Sequence, residues 1–187
     1  MKRIGYAIAL IIALTACGKS EWQELAIAEG GFSVLMRGQA RYTRQLLETP
    51  VGHMQAHLYS SDRPDAFFAV GYTDYPLTFA MTKLPQEILT GVRDTWVRRI
   101  NGRLTTSDNS LKLGKYPGLE FSARGTVSGR DSLLEARLYM VDQRLYQVIS
   151  IARTAEMPQG TVNRFFKSFR LTDPAQVGSI RIEPGVK

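Results

Sequence analysis

From residue 32 to residue 72, apolar and polar side chains alternate in short runs broken by turn formers, the period-two pattern of strands with one buried face. The runs cover residues 32–36, 42–47, 53–59 and 66–72, and Gly38, residues 49–52 and residues 60–64 separate them with the glycine, proline, serine and aspartate chemistry of turns. A second set follows at 104–106, 111–113, 119–126, 133–140 and 145–151, where Ser128-Gly129-Arg130 and Asp142-Gln143 make hairpin turns. Between the two sets the period changes. Ile88, Val92, Trp96 and Ile100 recur at every fourth position over residues 85–101, Pro85 suits the first helical turn, Arg98 and Arg99 sit at the end where the helix dipole favours cations, and Gly102 can close the helix. Val162, Phe165, Phe166 and Phe169 form one face of a last helix, an aromatic stripe whose spacing predicts a place in the core.

Four strands, a helix, several strands and a final helix predict an α+β fold in a single domain, an antiparallel sheet flanked by two main helices. The domain is expected over residues 31–172. Residues 17–30 read as a polar tether in which only Trp22 could pack on the fold, and residues 173–187, with Pro174, Gly178, Pro184 and Gly185, as a loosely held tail.

The first sixteen residues have a different purpose. Lys2 and Arg3 precede an apolar run from Ile4 to Leu14 that is about half the ~20 residues a membrane-spanning helix needs, which is the build of an export signal. Leu14-Thr15-Ala16-Cys17 resembles the bacterial lipobox, in which the cysteine receives a diacylglycerol thioether and becomes the first residue of the mature chain. The resemblance implies residues 1–16 as a lipoprotein signal peptide and Cys17 as the lipidated N-terminus, with acyl chains enough for stable membrane anchoring. Gly18, where an aspartate would retain such a protein at the inner membrane, implies the periplasmic face of the outer membrane of the cell envelope.

Composition narrows the classes further. The chain has 44% hydrophobic and 22% charged residues, the balance of a folded domain and not of a disordered segment. Its formal charge of +7 falls to +5 without Lys2 and Arg3, a modest excess that suits a membrane surface but is scattered, with no basic tract interleaved with aromatics to read nucleic acid. Cys17 is the single cysteine, so neither an internal disulfide nor a thiolate metal cluster can form.

Candidate chemistry is sparse. His53 and His57 on a strand would stand ~13 Å apart, too far to share an ion bonded at about 2 Å. Gly18-Lys19-Ser20 lacks the earlier glycine of a phosphate loop, since Ala13 stands there, and there is no Gly-x-Ser-x-Gly elbow. The carboxylates Asp62 with Asp65 and Glu120 with Glu135 have no spacing that demands an acid–base pair. No catalytic residue, cofactor or metal is expected.

Four stretches carry a wider resemblance: Gly30-Gly31-Phe32-Ser33-Val34-Leu35-Met36, Tyr72-Thr73-Asp74-Tyr75-Pro76, Tyr116-Pro117-Gly118-Leu119-Glu120-Phe121 and Phe165-Phe166-Lys167-Ser168-Phe169. Across residues 30–171 the chain is similar to PsbP-like domains, the superfamily that also holds Mog-type Ran-binding proteins and DcrB-like bacterial lipoproteins, although Arg37 stands where that pattern has a proline. The resemblance implies an α/β/α sandwich used as a non-catalytic binding or assembly module, monomeric or weakly oligomeric, with an envelope protein as partner. Tyr72, Asp74, Tyr116 and Glu120 are the candidate partner surface. Two other readings stay open: a carrier of a small apolar ligand, which needs an apolar cavity, and an envelope enzyme, which needs a pocket holding carboxylates, a histidine or an ion.

Cys17→Ala is expected to abolish fatty-acid labelling of the protein and leave the precursor uncleaved by the lipoprotein signal peptidase; undiminished labelling of the variant would contradict the lipobox assignment.

Overall fold

A computed structural model describes residues 21–49, 52–105, 108–153 and 159–172. The segment expected to be a signal peptide (residues 1–16), the expected lipobox residues Leu14, Thr15, Ala16 and Cys17, and the expected tail at 173–187 lie outside the described residues.

The elements run β1 (Trp22–Ile27), β2 (Phe32–Arg37), β3 (Arg41–Thr49), β4 (Gly52–Asp62), β5 (Ala66–Asp74), α1 (Leu77–Thr82), α2 (Pro85–Arg99), β6 (Arg103–Leu104), β7 (Asn109–Leu113), β8 (Tyr116–Val127), β9 (Arg130–Val141), β10 (Arg144–Ala152), α3 (Gln159–Ser168) and β11 (Arg170–Leu171). Eight strands form one antiparallel sheet in the order β3-β4-β5-β10-β9-β8-β6, with β7 also pairing β8, and β1-β2-β11 form a smaller one. The predicted turns close the long hairpins: Ser128 and Gly129 both adopt positive φ (51° and 75°), the two-residue turn whose twist matches the flanking strands, and Asp142 (φ 53°) begins the β9–β10 connection.

This architecture corrects the α+β expectation of an antiparallel sheet flanked by two main helices. Among the described residues strand accounts for 58% and helix for 21%, so that part of the protein is mostly β, with two sheets and three short helices, and the α/β/α sandwich does not hold. The reason lies in what covers the front of the large sheet. A second sheet lies there beside α3, where the expectation had only a helix. Its first strand falls inside the segment read as a tether: β1 pairs β2 from Trp22↔Arg37 to Ile27↔Phe32. Glu24 and Gln23 interrupt its apolar pattern because β1 is an edge strand with one side in water. Trp22 does pack on the domain, edge-on to Phe68 at 6.1 Å. The helix α1, six residues after Pro76, was too short to show a period.

Strand register divides the core in two. On the front, cross-strand pairs align His57, Tyr72, Tyr146, Tyr139 and Gly118 in one row, under Phe32, Val34 and Met36 of β2 and Val162, Phe165, Phe166 and Phe169 of the α3 region. The aromatic stripe therefore lies in the core. On the back, Leu119, Phe121, Leu134, Ala136, Leu138, Leu145 and Ile149 pack against Ile88, Leu89 and Ile100 of α2 and its end. Phe32 is fully buried and is ringed by Tyr59, Tyr72, Tyr146 and Phe169 at 5.7 to 6.4 Å between centroids.

Phe32→Ala should destabilise the fold by about 3–5 kcal/mol, because the aromatic ring leaves a cavity at the junction of both sheets, whereas Leu46→Ala on the exposed edge strand should stay within about 0.5 kcal/mol. Urea denaturation of the two variants measures both.

Candidate binding cleft

Helix α2 does not cover the whole back face. Val92 and Trp96 sit at the border of the back-face core, half-buried against it. Ile88, Leu89 and Ile100 meet β8, β9 and β10, while Val92, Thr95, Trp96 and Arg99 line the helix flank that faces the outer strands. The back of β3, β4 and β5 is left open beside that flank. The result is a cleft of about 290 Å³.

The cleft floor is built of small and apolar groups. Gln45, Ala56, Thr73 and Leu145 align across four strands in one row, and Thr43, Leu58, Gly71 and Gln147 in the next. Leu47 and Met54, themselves paired, close one end, and Tyr75, whose ring stacks on Phe79 of α1 at 5.5 Å, stands at the other side. Gly71 is required by close approach: a Cβ there would stand 2.7 Å from the His57 carbonyl oxygen and 3.2 Å from Leu58 Cδ1. Trp96 donates its indole N–H to Gln147 Oε1 at 2.8 Å, which fixes the ring as a wall and satisfies the polar group that the sheet places in an apolar surround. Arg99 lies with its guanidinium 5.2 Å from the Trp96 ring centre. It is the only lysine, arginine, aspartate or glutamate among the described lining residues.

The four residues singled out from sequence share the front face but not a surface. Tyr72 is 2% exposed, sandwiched between the His57 ring at 4.4 Å and the Arg144 guanidinium at 4.6 Å, and burial raises its phenol pKa well above the usual range. Asp74 is exposed and receives both arms of Arg144, at 2.5 and 2.7 Å, while Arg144 also donates to the Glu29 carbonyl. Tyr116 and Glu120 stand on β8, with β10 and β9 between them and β5. Tyr116 lies under the Lys115 ammonium at 5.1 Å, and Glu120 accepts from Arg137 at 2.8 Å. These are parts of the packing and ion-pair framework spread over five strands, β4, β5, β8, β9 and β10. The cleft residues went unseen because Trp96 reads as one more apolar helix position, and nothing in a local pattern says how far strands extend past the helix that covers them.

His53 and His57 are on strand β4, as expected, and His57 faces the front, accepting or donating at 2.9 Å to the Tyr42 hydroxyl. Among the described residues no group of three or more His, Cys, Asp and Glu side chains could hold a metal. A second, larger and polar depression of about 680 Å³ includes Arg103, Arg124, Asp131, Glu135 and Arg153. Burial raises the pKa of the Glu135 carboxyl, the neighbouring Glu120 raises it further, and Arg137 opposes both. Arg153, on the rim, is engaged by Asp62 and the Arg63 carbonyl and is the last described residue before 154–158.

Comparison with known proteins adds little. No family model matches the chain, and no curated protein matches it. Among solved structures it is similar to the crystal structure of PA94 from Pseudomonas aeruginosa, a protein of unknown function described as a putative regulator, at 8% identity and a TM-score of 0.40, over 87% of this chain and 98% of that one.

A raised carboxyl pKa means that the folded state holds the Glu135 proton more tightly than the unfolded chain does. The stability tied to that proton is fully present below the unfolded pKa and is lost as pH rises through the folded one. Glu135→Gln should therefore raise the melting temperature at pH 7 and leave it nearly unchanged at pH 4, as thermal denaturation at the two pH values would show.

Proposed function

We propose that the chain is a membrane-anchored lipoprotein of the bacterial cell envelope, held by the lipid on Cys17, that works as a non-catalytic binding module and takes a small, mainly apolar ligand into the α2 cleft. The observation that carries this reading is the cleft: concave, floored by Ala56, Leu58, Gly71 and Thr73, walled by an aromatic ring held in place by its own hydrogen bond, and combining aliphatic side chains with the hydroxyls and amides of residues such as Thr43, Gln45 and Thr95. At about 290 Å³ it lies at the lower limit of such sites, so the ligand is small or only partly enclosed. The anchor is supported by the leader, the lipobox pattern and the lone cysteine.

A protein partner is a second reading, favoured by β3. This nine-residue strand ends the large sheet, pairs only with β4 among the described residues and exposes Tyr42 and Leu46 on its front, so a partner strand could add to it. Arg41 and Arg44 on the same strand provide the charge that discourages indiscriminate pairing.

Ala56→Trp tests the ligand reading, since it fills the middle of the cleft floor from an edge-side strand. Protein extracted from native membranes should carry a small molecule detectable by native mass spectrometry, and the variant, checked to melt at nearly the wild-type temperature, should lose at least nine-tenths of it. Equal loading of the two proteins would contradict the assignment of the cleft.

A further inference from the structure

The composition of the cleft says more than that its ligand is apolar. Resting on the binding role just proposed, we infer that the ligand is a single-chain amphiphile with one negative charge, a medium-chain fatty carboxylate, its chain over the Ala56 and Gly71 floor and its head at Arg99.

Three observations lead there. Aliphatic and aromatic surface lies together in the cleft: Leu47, Met54, Leu58 and Leu145 supply aliphatic groups, and Trp96 supplies a flat ring against which a flexible chain can lie. Charge in the cleft has one sign, because Arg99 is the only charged side chain of the acidic and basic residues among the described lining residues, and no ion pair among the described residues engages it. Among the described residues the guanidinium lies against the Trp96 face, which leaves its N–H groups open to a carboxylate in the plane of the fork.

A cationic amphiphile would meet Arg99 with like charge, and a neutral one would leave the guanidinium with water alone. The carbonyl end of α2 is itself negative, so the backbone there cannot take the head; the guanidinium, one side chain beyond the last turn, can. Size sets the chain. If each chain carbon takes roughly the volume share of one water molecule, about 30 Å³, a 290 Å³ cleft holds on the order of ten. Arg99 is exposed, so the preference it confers is moderated by solvent.

Full chain carrying its lipid anchor, reconstituted in phosphatidylcholine vesicles, provides the test. Photoreactive diazirine analogues of decanoate and of decanol are compared at equal vesicle-bound concentration, and crosslinked peptides are mapped. Decanoate should label the peptides bearing Met54 and Trp96 about twofold to fivefold more than decanol does; Arg99→Gln should bring the two to the same level, and Arg99→Lys should keep most of the difference. Equal labelling by both analogues in the wild type, or an undiminished preference in Arg99→Gln, would overturn the carboxylate inference while leaving an apolar binding cleft in place. Labelling of those peptides by neither analogue would overturn both.

Discussion

Two neighbouring strands of the large sheet, β5 and β10, are buried on both faces along most of their length, and the rest of the molecule is arranged by how those two faces are covered. Adjacent residues such as Val148 and Ile149 are both fully buried yet belong to different cores, one under β2 and α3 and the other under α2. A shift of one residue in the pairing would exchange the two cores and place Arg137, Glu135 and Arg144 beneath α2. Register is therefore strongly specified, and with it the position of every side chain that could touch a ligand.

The two faces are closed to different extents. The front has the β1-β2-β11 sheet and α3, and polar contacts pin that layer along its length. Arg144 holds Asp74 and reaches the Glu29 carbonyl, and the Tyr146 hydroxyl donates to the Gly30 carbonyl at 2.7 Å. At the far end Arg37 bridges Glu21 and Asp65. Burial opposes the ionisation of Asp65, but its hydrogen bond to Arg37 and the nearby positive charges outweigh that and hold its pKa below the usual carboxylate range. The back has one long helix laid over β8, β9 and β10, so the outer strands must present that side to something else. Their composition answers the situation: Thr43, Gln45 and Thr73 beside Leu47, Met54 and Leu58 are neither a dry core nor an ordinary wet surface.

Much of the fold was readable from local pattern because local physics decides it. The strands β2 to β5 and β8 to β10 have alternating or continuous apolar runs between turn formers, α2 has Pro85 at its start and arginines at its end, and Phe165, Phe166 and Phe169 are core residues at helical spacing. The unread parts depend on distant partners. β1 is a strand because β2 offers it a register, not because Glu24 and Gln23 favour one, and the second sheet that it forms replaced the expected helical layer. The cleft was illegible for a related reason. Its walls come from β3, β4, β5, β10 and α2, positions up to about a hundred residues apart, and its existence depends on a helix that covers only part of a sheet. The sequence-derived surface of Tyr72, Asp74, Tyr116 and Glu120 shows the converse: residues with apparent recognition chemistry that the fold spends on stacking and ion pairs.

The back-face cleft makes one claim about function that the two tryptophans can report directly, since Trp22 packs against the front core and Trp96 walls the cleft. Titrating ¹⁵N-labelled protein with decanoate and following the two indole N–H resonances by NMR separates the faces in one experiment. The Trp96 resonance should move saturably, through its bond to Gln147, while that of Trp22 stays in place. If both move together, or only Trp22 responds, the back-face cleft is not where the protein binds.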